Sequence, residues 1–216
     1  MILVICLFIF VSVLHLNAIF WKWGRIQRIS KVFILPLLMV LYFLLTENFL
    51  LTVLLAGISG WLGDAFLIKI DKTLFFRIGL VCFLACHIFY IPSMLHFIDA
   101  VNMPVLIASI VIAIPVCILL IRCIKPSKEM FFPVLCYAIV IELMSITALQ
   151  FMLRRSFVSH SFSIGIAVFA GSCLFLISDT ILAFYTFRDK PKQADFPAML
   201  SYIIAQTCIV TGLGMC

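Results

Sequence analysis

Charged residues are scarce in this sequence: Asp, Glu, Lys and Arg make up 11% of its 216 residues. A water-soluble domain carries about a quarter charged residues, because its surface has to be solvated. The scarcity therefore excludes a soluble enzyme, a disordered chain and a nucleic-acid-binding domain. Apolar residues take up 66% of the chain, and the mean hydropathy is +1.31. This composition predicts a polytopic membrane protein.

Paired cysteine and histidine motifs are also missing. The nine cysteines are an odd number and are scattered through apolar runs, where free thiols behave as small hydrophobic side chains. Cys82, Cys86 and His87 are close in sequence, but no CxxC or HxxxH motif elsewhere completes a metal site. We therefore predict no disulfide framework, no metal site and no cofactor.

Long apolar runs, in contrast, fill the chain. A membrane-spanning helix takes about 20 residues, so the length allows eight spans with short loops and no soluble domain. No basic segment or small-residue cleavage site precedes Trp21, so the first run is expected to be a retained span. The sequence predicts an all-α bundle of eight transmembrane helices, forming a single transmembrane domain over residues 1–216. The predicted spans are Ile2–Trp21, Lys31–Thr46, Phe49–Ile68, Leu74–Leu95, Met103–Ile121, Met130–Leu153, Ser161–Phe187 and Phe196–Met215.

Lys and Arg are unevenly distributed over the loops. All but two of the 15 basic residues follow spans one, three, five and seven; the exceptions are Arg154 and Arg155. Because basic loops stay in the cytoplasm, we predict that both termini are extracytoplasmic, in the inner membrane of a bacterium. The basic residues of the four loops are Lys22, Arg25, Arg28 and Lys31; Lys69, Lys72 and Arg77; Arg122, Lys125 and Lys128; and Arg188, Lys190 and Lys192.

Two segments of the chain resemble each other. Gly63-Asp64-Ala65-Phe66-Leu67 closes span three, and Ser178-Asp179-Thr180-Ile181-Leu182 lies late in span seven. Spans two and six each carry an early proline, Pro36 and Pro133. A four-plus-four duplication would explain both similarities and would give parallel repeats, because four spans return the chain to its starting side.

Four ionisable side chains stand out inside the predicted spans: Asp64, His87, Glu142 and Asp179. Such groups are costly in a bilayer and each is a functional hypothesis. Asp64 and Asp179 fall within roughly 7–14 Å of the cytoplasmic helix ends, and His87 lies nearer mid-span with Tyr90 one turn on. The alternative for Asp64 and His87 is a hydrogen bond between helices, and the alternative for Asp179 is a cap or a pair with a neighbouring Lys. Glu142 has no motif around it and would be a proton site or a partner of Gln206.

Two carboxylates in a dry site offer a specific chemistry. One can remain an acid while the other is ionised, which suits protonation of an electron-rich group and water attack on an oxocarbenium-like cation, as in glycosidases. A transporter or channel could use the same carboxylates and the histidine as a proton relay. A structural or lipid-sensing bundle without turnover is a third alternative.

Short motifs spaced along the chain resemble those of the YhhN-like lysoplasmalogenase family of eight-span membrane proteins. Departures from the family pattern are Cys86 directly before His87, and Glu142. The motifs are Lys31 with Pro36-Leu37-Leu38, Gly63-Asp64 with Phe66-Leu67, Ala85-Cys86-His87-Ile88-Phe89-Tyr90, Pro133-Val134 with Tyr137, Ile141, Met144 and Ala148, Gly171 with Leu174-Phe175, Ser178-Asp179 with Leu182-Ala183, and Tyr202 with Ala205-Gln206.

The resemblance implies hydrolysis of the vinyl-ether bond of lysoplasmalogens, with a lysolipid as substrate and membrane lipids as surroundings. Asp64, Asp179 and His87 would be catalytic, one aspartate giving the proton and the other stabilising the cation. Lys31 would contact the substrate phosphate. Further substrate-binding residues would be Tyr90, Tyr137, Ser178 and Gln206.

Overall fold

A computed structural model describes residues 1–68, 73–158, 162–188 and 195–216, and within these ranges the chain contains helices and no strands. The all-α prediction is thus confirmed for the described chain. Lys69, Lys72, Lys190 and Lys192 of the basic loops lie outside these ranges, as does Ser161. The helices are α1 (Ile2–Phe20), α2 (Gly24–Leu45), α3 (Leu51–Leu67), α4 (Thr73–Leu95), α5 (Met103–Ile124), α6 (Lys128–Val158), α7 (Phe162–Phe187) and α8 (Asp195–Gly214).

The described helices have the length and composition that a bilayer requires. Seven of them are long and apolar enough to cross a membrane. The remaining described helix, α3, is apolar but has only 17 residues, which is about 25 Å of helix at 1.5 Å per residue. The chain is an integral, multi-pass membrane protein, and the eighth span stays a prediction.

Two helices are longer than the sequence predicts. α2 begins at Gly24 and α6 runs on to Val158, so α2 includes Arg25 and Arg28, and α6 includes Arg154 and Arg155. Arg28 supports the first turn of α2, since its Nε donates to the Gly24 carbonyl at 3.0 Å. Hydropathy detects only the part of a helix that lies in the apolar layer, whereas backbone hydrogen bonding continues into the polar flank.

The chain divides into two compact units. Unit 1 contains residues 1–93 and 210–216, and unit 2 contains residues 94–209. Unit 1 therefore holds α1 to α3, nearly all of α4 and the end of α8, while unit 2 holds α5 to α7 and most of α8. The prediction of a single transmembrane domain is not tested by this division and stays a prediction.

Small residues let the helices of unit 1 approach one another. A Cβ atom added at Gly63 would lie 2.7 Å from Phe83 Cδ2, and one added at Gly57 would overlap the Met39 thioether. α3 thus packs against α4 through Gly63, the residue directly before Asp64. The close packing explains why the small-residue face of α3 is buried.

Unit 2 uses the same device between α7 and α8. A Cβ at Gly171 would lie 2.9 Å from the Ala205 carbonyl oxygen, and the Phe175 and Tyr202 rings meet edge-to-face at 5.5 Å. α5 is different, because the only side chains that it buries are Cys117 and Ile124. Its remaining apolar surface suits contact with lipid.

Candidate functional site

Asp64 lies on the last turn of α3. Its carboxylate is more buried than that of Glu142. Its side chain is 2% exposed, and its Oδ1 is 3.4 Å from Lys31 Nζ on α2. A charge in a bilayer interior has to be paired or hydrogen-bonded. The ion pair joins α2 to α3 and brings together two of the residues that the sequence identified.

The proline of α2 supports this pair. Pro36 has no backbone N–H, so the carbonyl of Val32, one turn earlier, loses its usual helical donor. The indole Nε1 of Trp61 on α3 donates to that carbonyl at 3.0 Å. Val32 follows Lys31, and Trp61 lies one turn before Asp64. The missing backbone hydrogen bond is thus replaced by one between helices, which sets the register of α2 against α3 beside the ion pair.

His87 and Tyr90 lie one turn apart on α4, in the same unit as Asp64. Both side chains are fully buried. Phe83, one turn before His87, is the residue that packs on Gly63 of α3. The face of α4 that carries His87 and Tyr90 is therefore an interior face of unit 1, as the sequence predicts for residues of functional interest.

Asp179 on α7 is held differently from Asp64. The hydroxyl of Tyr137 on α6 donates to its Oδ2 at 2.5 Å. This contact joins α6 to α7 and again brings two predicted site residues together. In each unit, then, the aspartate is contacted by a polar side chain of the preceding helix: an ammonium in unit 1 and a phenol in unit 2.

Ser178 and Gln206, the other predicted substrate-binding residues of unit 2, are both buried. Ser178 Oγ donates to the Ala198 carbonyl of α8 at 2.9 Å. The hydroxyl therefore tethers α7 to α8 directly beside Asp179. Whether Ser178 and Gln206 bind substrate stays a prediction.

Glu142 on α6 is 8% exposed. Its Oε1 has no hydrogen-bond partner among the described residues. Nor does the described part of the chain contain a cluster of three or more His, Cys, Asp or Glu side chains that could hold a metal ion. Glu142 is thus a buried acid that belongs to no such cluster among the described residues.

Sequence analysis missed one polar residue of unit 1. His15 on α1 is fully buried, and its Nδ1 is 2.9 Å from Ser30 Oγ on α2. Ser30 directly precedes Lys31, so the imidazole belongs to the polar surroundings of the ion pair. The signal was present, because an imidazole inside an apolar run is as unusual as a carboxylate there.

Three polar groups of unit 1 lie toward the same end of its helices. His15 is near the C-terminal end of α1, Lys31 is in the N-terminal half of α2, and Asp64 is in the last turn of α3. Because successive helices reverse direction, these three positions fall at a similar depth. An imidazole, an ammonium and a carboxylate therefore lie near one end of this unit.

Comparison with known proteins shows which family the chain is similar to. The model of the YhhN family matches residues 26–213. The match covers α3 to α7 completely and almost all of α2 and α8, with every site residue that the sequence identified. No curated protein and no solved structure matches the chain.

Proposed function

We propose that this chain, which belongs to the YhhN family, hydrolyses the vinyl-ether bond of lysoplasmalogens in the membrane. The products are a fatty aldehyde and glycerophosphoethanolamine or glycerophosphocholine. The observation that carries the proposal is the presence of two intramembrane aspartates, Asp64 and Asp179, with partners of different charge. The reaction needs carboxyl groups in two protonation states, and different partners favour that difference.

The reaction proceeds by acid catalysis. A carboxylic acid protonates the β-carbon of the vinyl ether, and the electrons of the C=C bond form the new C–H bond, leaving an oxocarbenium ion. Water adds to the cationic carbon and releases a proton to the carboxylate. That proton transfer regenerates the acid. The hemiacetal then collapses: its C–O bond to the glycerol oxygen breaks as the hemiacetal hydroxyl proton passes to that oxygen, giving the aldehyde and the free glycerol hydroxyl.

The contacts of Asp64 support a division of the two roles. An ammonium at 3.4 Å makes Asp64 the anion that stabilises the oxocarbenium ion, since the ion pair needs its negative charge. Asp179 is then the acid. Tyr137 donates to Oδ2 of that side chain, which holds the carboxyl group in a fixed orientation for proton transfer.

The remaining site residues bind substrate and water in this proposal. His87 and Tyr90 hold the attacking water, and Ser178 and Gln206 contact the substrate. Lys31 has three N–H donors and is 16% exposed, so it can contact the phosphate while it keeps Asp64 paired. No metal or cofactor takes part.

The proposal includes eight spans, with both termini on the extracytoplasmic side of a bacterial inner membrane. It also includes a four-plus-four duplication. When the sequence is aligned with itself so that Asp64 matches Asp179, several pairs of buried residues also match. These pairs lie in α3 and α7 and again in α4 and α8. The matched pairs are Val53 and Val168, Ala56 and Gly171, Gly57 and Ser172, Gly63 and Ser178, Phe83 and Ala198, Cys86 and Ser201, His87 and Tyr202, Tyr90 and Ala205, and Met94 and Ile209.

The test is aldehyde release by the purified protein in detergent, with vinyl-ether and ester-linked lysolipids compared side by side. Asp64→Asn and Asp179→Asn should each reduce turnover of the vinyl ether at least about a hundredfold. The double variant should lose little more than the weaker single variant, because groups that act as a unit are not additive. Asp99→Asn is the matched control, since Asp99 is an exposed carboxylate paired with Arg154.

The outcome for each aspartate is read separately. Activity close to wild type in either variant, at equal extraction and folding, would remove that residue from the mechanism and return it to helix packing. Absence of aldehyde release by the wild-type protein from any vinyl-ether lysolipid would remove the hydrolase.

A proton-coupled transporter is the second candidate, and Glu142 favours it. This buried acid has no role in the hydrolysis, whereas a relay through the membrane needs additional titratable groups. Glu142→Gln should leave aldehyde release nearly unchanged in a hydrolase. Loss of proton-driven solute uptake into vesicles on the same substitution would instead support the transporter.

A further inference from the structure

Two buried polar side chains share one face of α1. Ser12 is 7% exposed and His15 is fully buried. They are three residues apart, so their Cβ atoms lie about 5–6 Å from each other on the same side of the helix. Neither belongs to the residues matched by the family model, which begin at position 26.

The contacts of Ser30 favour one tautomer of His15. Ser30 Oγ lies 2.7 Å from the Ile26 carbonyl and 3.3 Å from the Gln27 carbonyl, both of which only accept, and a hydroxyl has one hydrogen to donate. We therefore assign the acceptor role toward His15 Nδ1, 2.9 Å away, to the same oxygen, and the proton to Nδ1. In the neutral ring Nε2 is then an acceptor with a free lone pair.

Within the described part of the chain, His15 Nε2 and Ser12 Oγ have no hydrogen-bond partner. Several other helical serines return their hydroxyl to the carbonyl four residues earlier, as Ser109 does to Val105 at 2.7 Å. A buried polar atom without a partner destabilises the fold. One molecule that bonds to both atoms would explain why two such groups lie one turn apart on α1.

The two atoms select the chemistry of that molecule. Nε2 of the neutral ring requires a donor, and a serine hydroxyl can donate in return. A single oxygen that carries a hydrogen satisfies both, and two bonds of about 2.8 Å each are comparable with the Cβ separation of about 5–6 Å on α1. A carboxylate or phosphate has no proton to give to Nε2.

We propose that Ser12 and His15 bind a hydroxyl group, either that of a water molecule or the free hydroxyl of a lysolipid glycerol. The hydroxyl donates to His15 Nε2 and accepts from Ser12 Oγ. Ser30, which holds the imidazole, directly precedes Lys31 of the Asp64 ion pair. The choice of lysolipid rests on the proposed function, whereas the hydroxyl chemistry rests on α1 and α2 alone.

The test is thermal unfolding of the full-length protein in detergent, with and without a saturating alkyl-ether lysolipid that has a free hydroxyl and no hydrolysable bond. Removing a hydroxyl that holds a bridging molecule should lower Tm. Ser12→Ala is expected to lower Tm by about 3 °C, the shift typical of a loss near 1 kcal/mol at this chain size. Ser109→Ala, which removes a hydroxyl bonded only within its own helix, is the matched control.

The condition in which Tm falls identifies the source of the hydroxyl. A lower Tm both with and without lipid indicates water. A lower Tm only with lipid indicates the glycerol hydroxyl, and in that case the O-methyl derivative of the same lipid should abolish the difference. Ser12→Ala that matches or exceeds the wild-type Tm in both conditions overturns the proposal, because a hydroxyl without a partner is better removed.

A second variant shows whether the two side chains hold the same molecule. In the His15→Phe background, Ser12→Ala should change Tm by less than 1 °C, since the bridge has already lost its acceptor. An undiminished effect of Ser12→Ala in that background would overturn the proposal. None of these measurements needs turnover, so failure of aldehyde release would refute the hydrolase and leave the hydroxyl site standing, and the reverse also holds.

Discussion

At the scale of residues, the chain pairs each of its two site aspartates with a polar side chain of the preceding helix. Lys31 neutralises Asp64, whereas Tyr137 gives Asp179 a hydrogen bond without a charge. The contact to the preceding helix is thus an ion pair at Asp64 and a phenol hydrogen bond at Asp179.

Lys31→Met should destabilise the protein strongly. The substitution leaves the Asp64 carboxylate, which is 2% exposed, without its counter-ion, and breaking a buried pair costs about 3 kcal/mol or more. Thermal unfolding in detergent should show a lower Tm, and adding Asp64→Asn should restore most of it. If Lys31→Met alone unfolds like the wild type, the pair makes no net contribution to stability.

Tyr137→Phe should affect turnover more than stability. It removes the hydroxyl that donates to Asp179 but keeps the ring, and one hydrogen bond is worth about 1 kcal/mol. We expect a Tm within a few degrees of wild type and a roughly tenfold loss of aldehyde release, which is the rate effect of about 1.4 kcal/mol in the barrier. Unchanged turnover would show that Tyr137 does not orient the acid.

At the scale of elements, proline and glycine determine how closely the helices meet. Pro36 frees the Val32 carbonyl, and Trp61 of α3 takes the place of the missing donor. Glycines at the contacts between helices leave no room for a Cβ, as Gly171 does against Ala205. The site residues are thus positioned by features of the helix surfaces that carry no charge.

Gly171→Ala should destabilise the contact between α7 and α8. The new methyl group would meet the Ala205 carbonyl oxygen at 2.9 Å, and overpacking of this kind costs about 1–3 kcal/mol. Gly24→Ala is the control, because nothing lies within 4 Å of a Cβ at that position. Thermal unfolding should separate the two variants, and an equal Tm would mean that the helices part at little cost.

At the scale of the whole molecule, the distribution of Lys and Arg over the loops is the main indicator of orientation. The asymmetry is large, since all but two of the 15 basic residues follow odd-numbered spans. The exceptions, Arg154 and Arg155, lie together near the end of α6. Arg154 pairs with Asp99 and Arg155 stacks on Phe97, so both are engaged by the protein itself.

The C-terminus is predicted to be extracytoplasmic, so a reporter fused after Cys216 should be active only if it is a type that functions outside the cytoplasm. The expectation follows from eight spans and basic cytoplasmic loops. A periplasmic phosphatase and a cytoplasmic fluorescent protein, fused in parallel, make the comparison. Fluorescence from the C-terminal fusion would contradict the predicted orientation. It would also contradict the placement of Asp64 and Asp179 near the cytoplasmic side.

The membrane class and the positions of the helices followed from the sequence alone. A span is a local property: about 20 consecutive apolar residues make one wherever they occur, so every predicted run corresponds to a helix. The intramembrane rarity of charge identified Asp64 and Asp179 for the same reason. Helix ends in the polar flanks were missed, because the start of α2 at Gly24 depends on backbone hydrogen bonds that hydropathy does not report.

Partnership was decided by the tertiary structure. Which side chain meets Asp64 depends on how α2 and α3 are rotated and shifted against each other, and residues far apart in the chain are involved. The family resemblance implies a phosphate contact for Lys31, whereas the packing of α2 on α3 places its ammonium beside Asp64. The burial of His15 against Ser30 likewise arises from the contact of α1 with α2. A sequence states which polar groups enter the membrane, but the packing of the helices decides which of them neutralise one another.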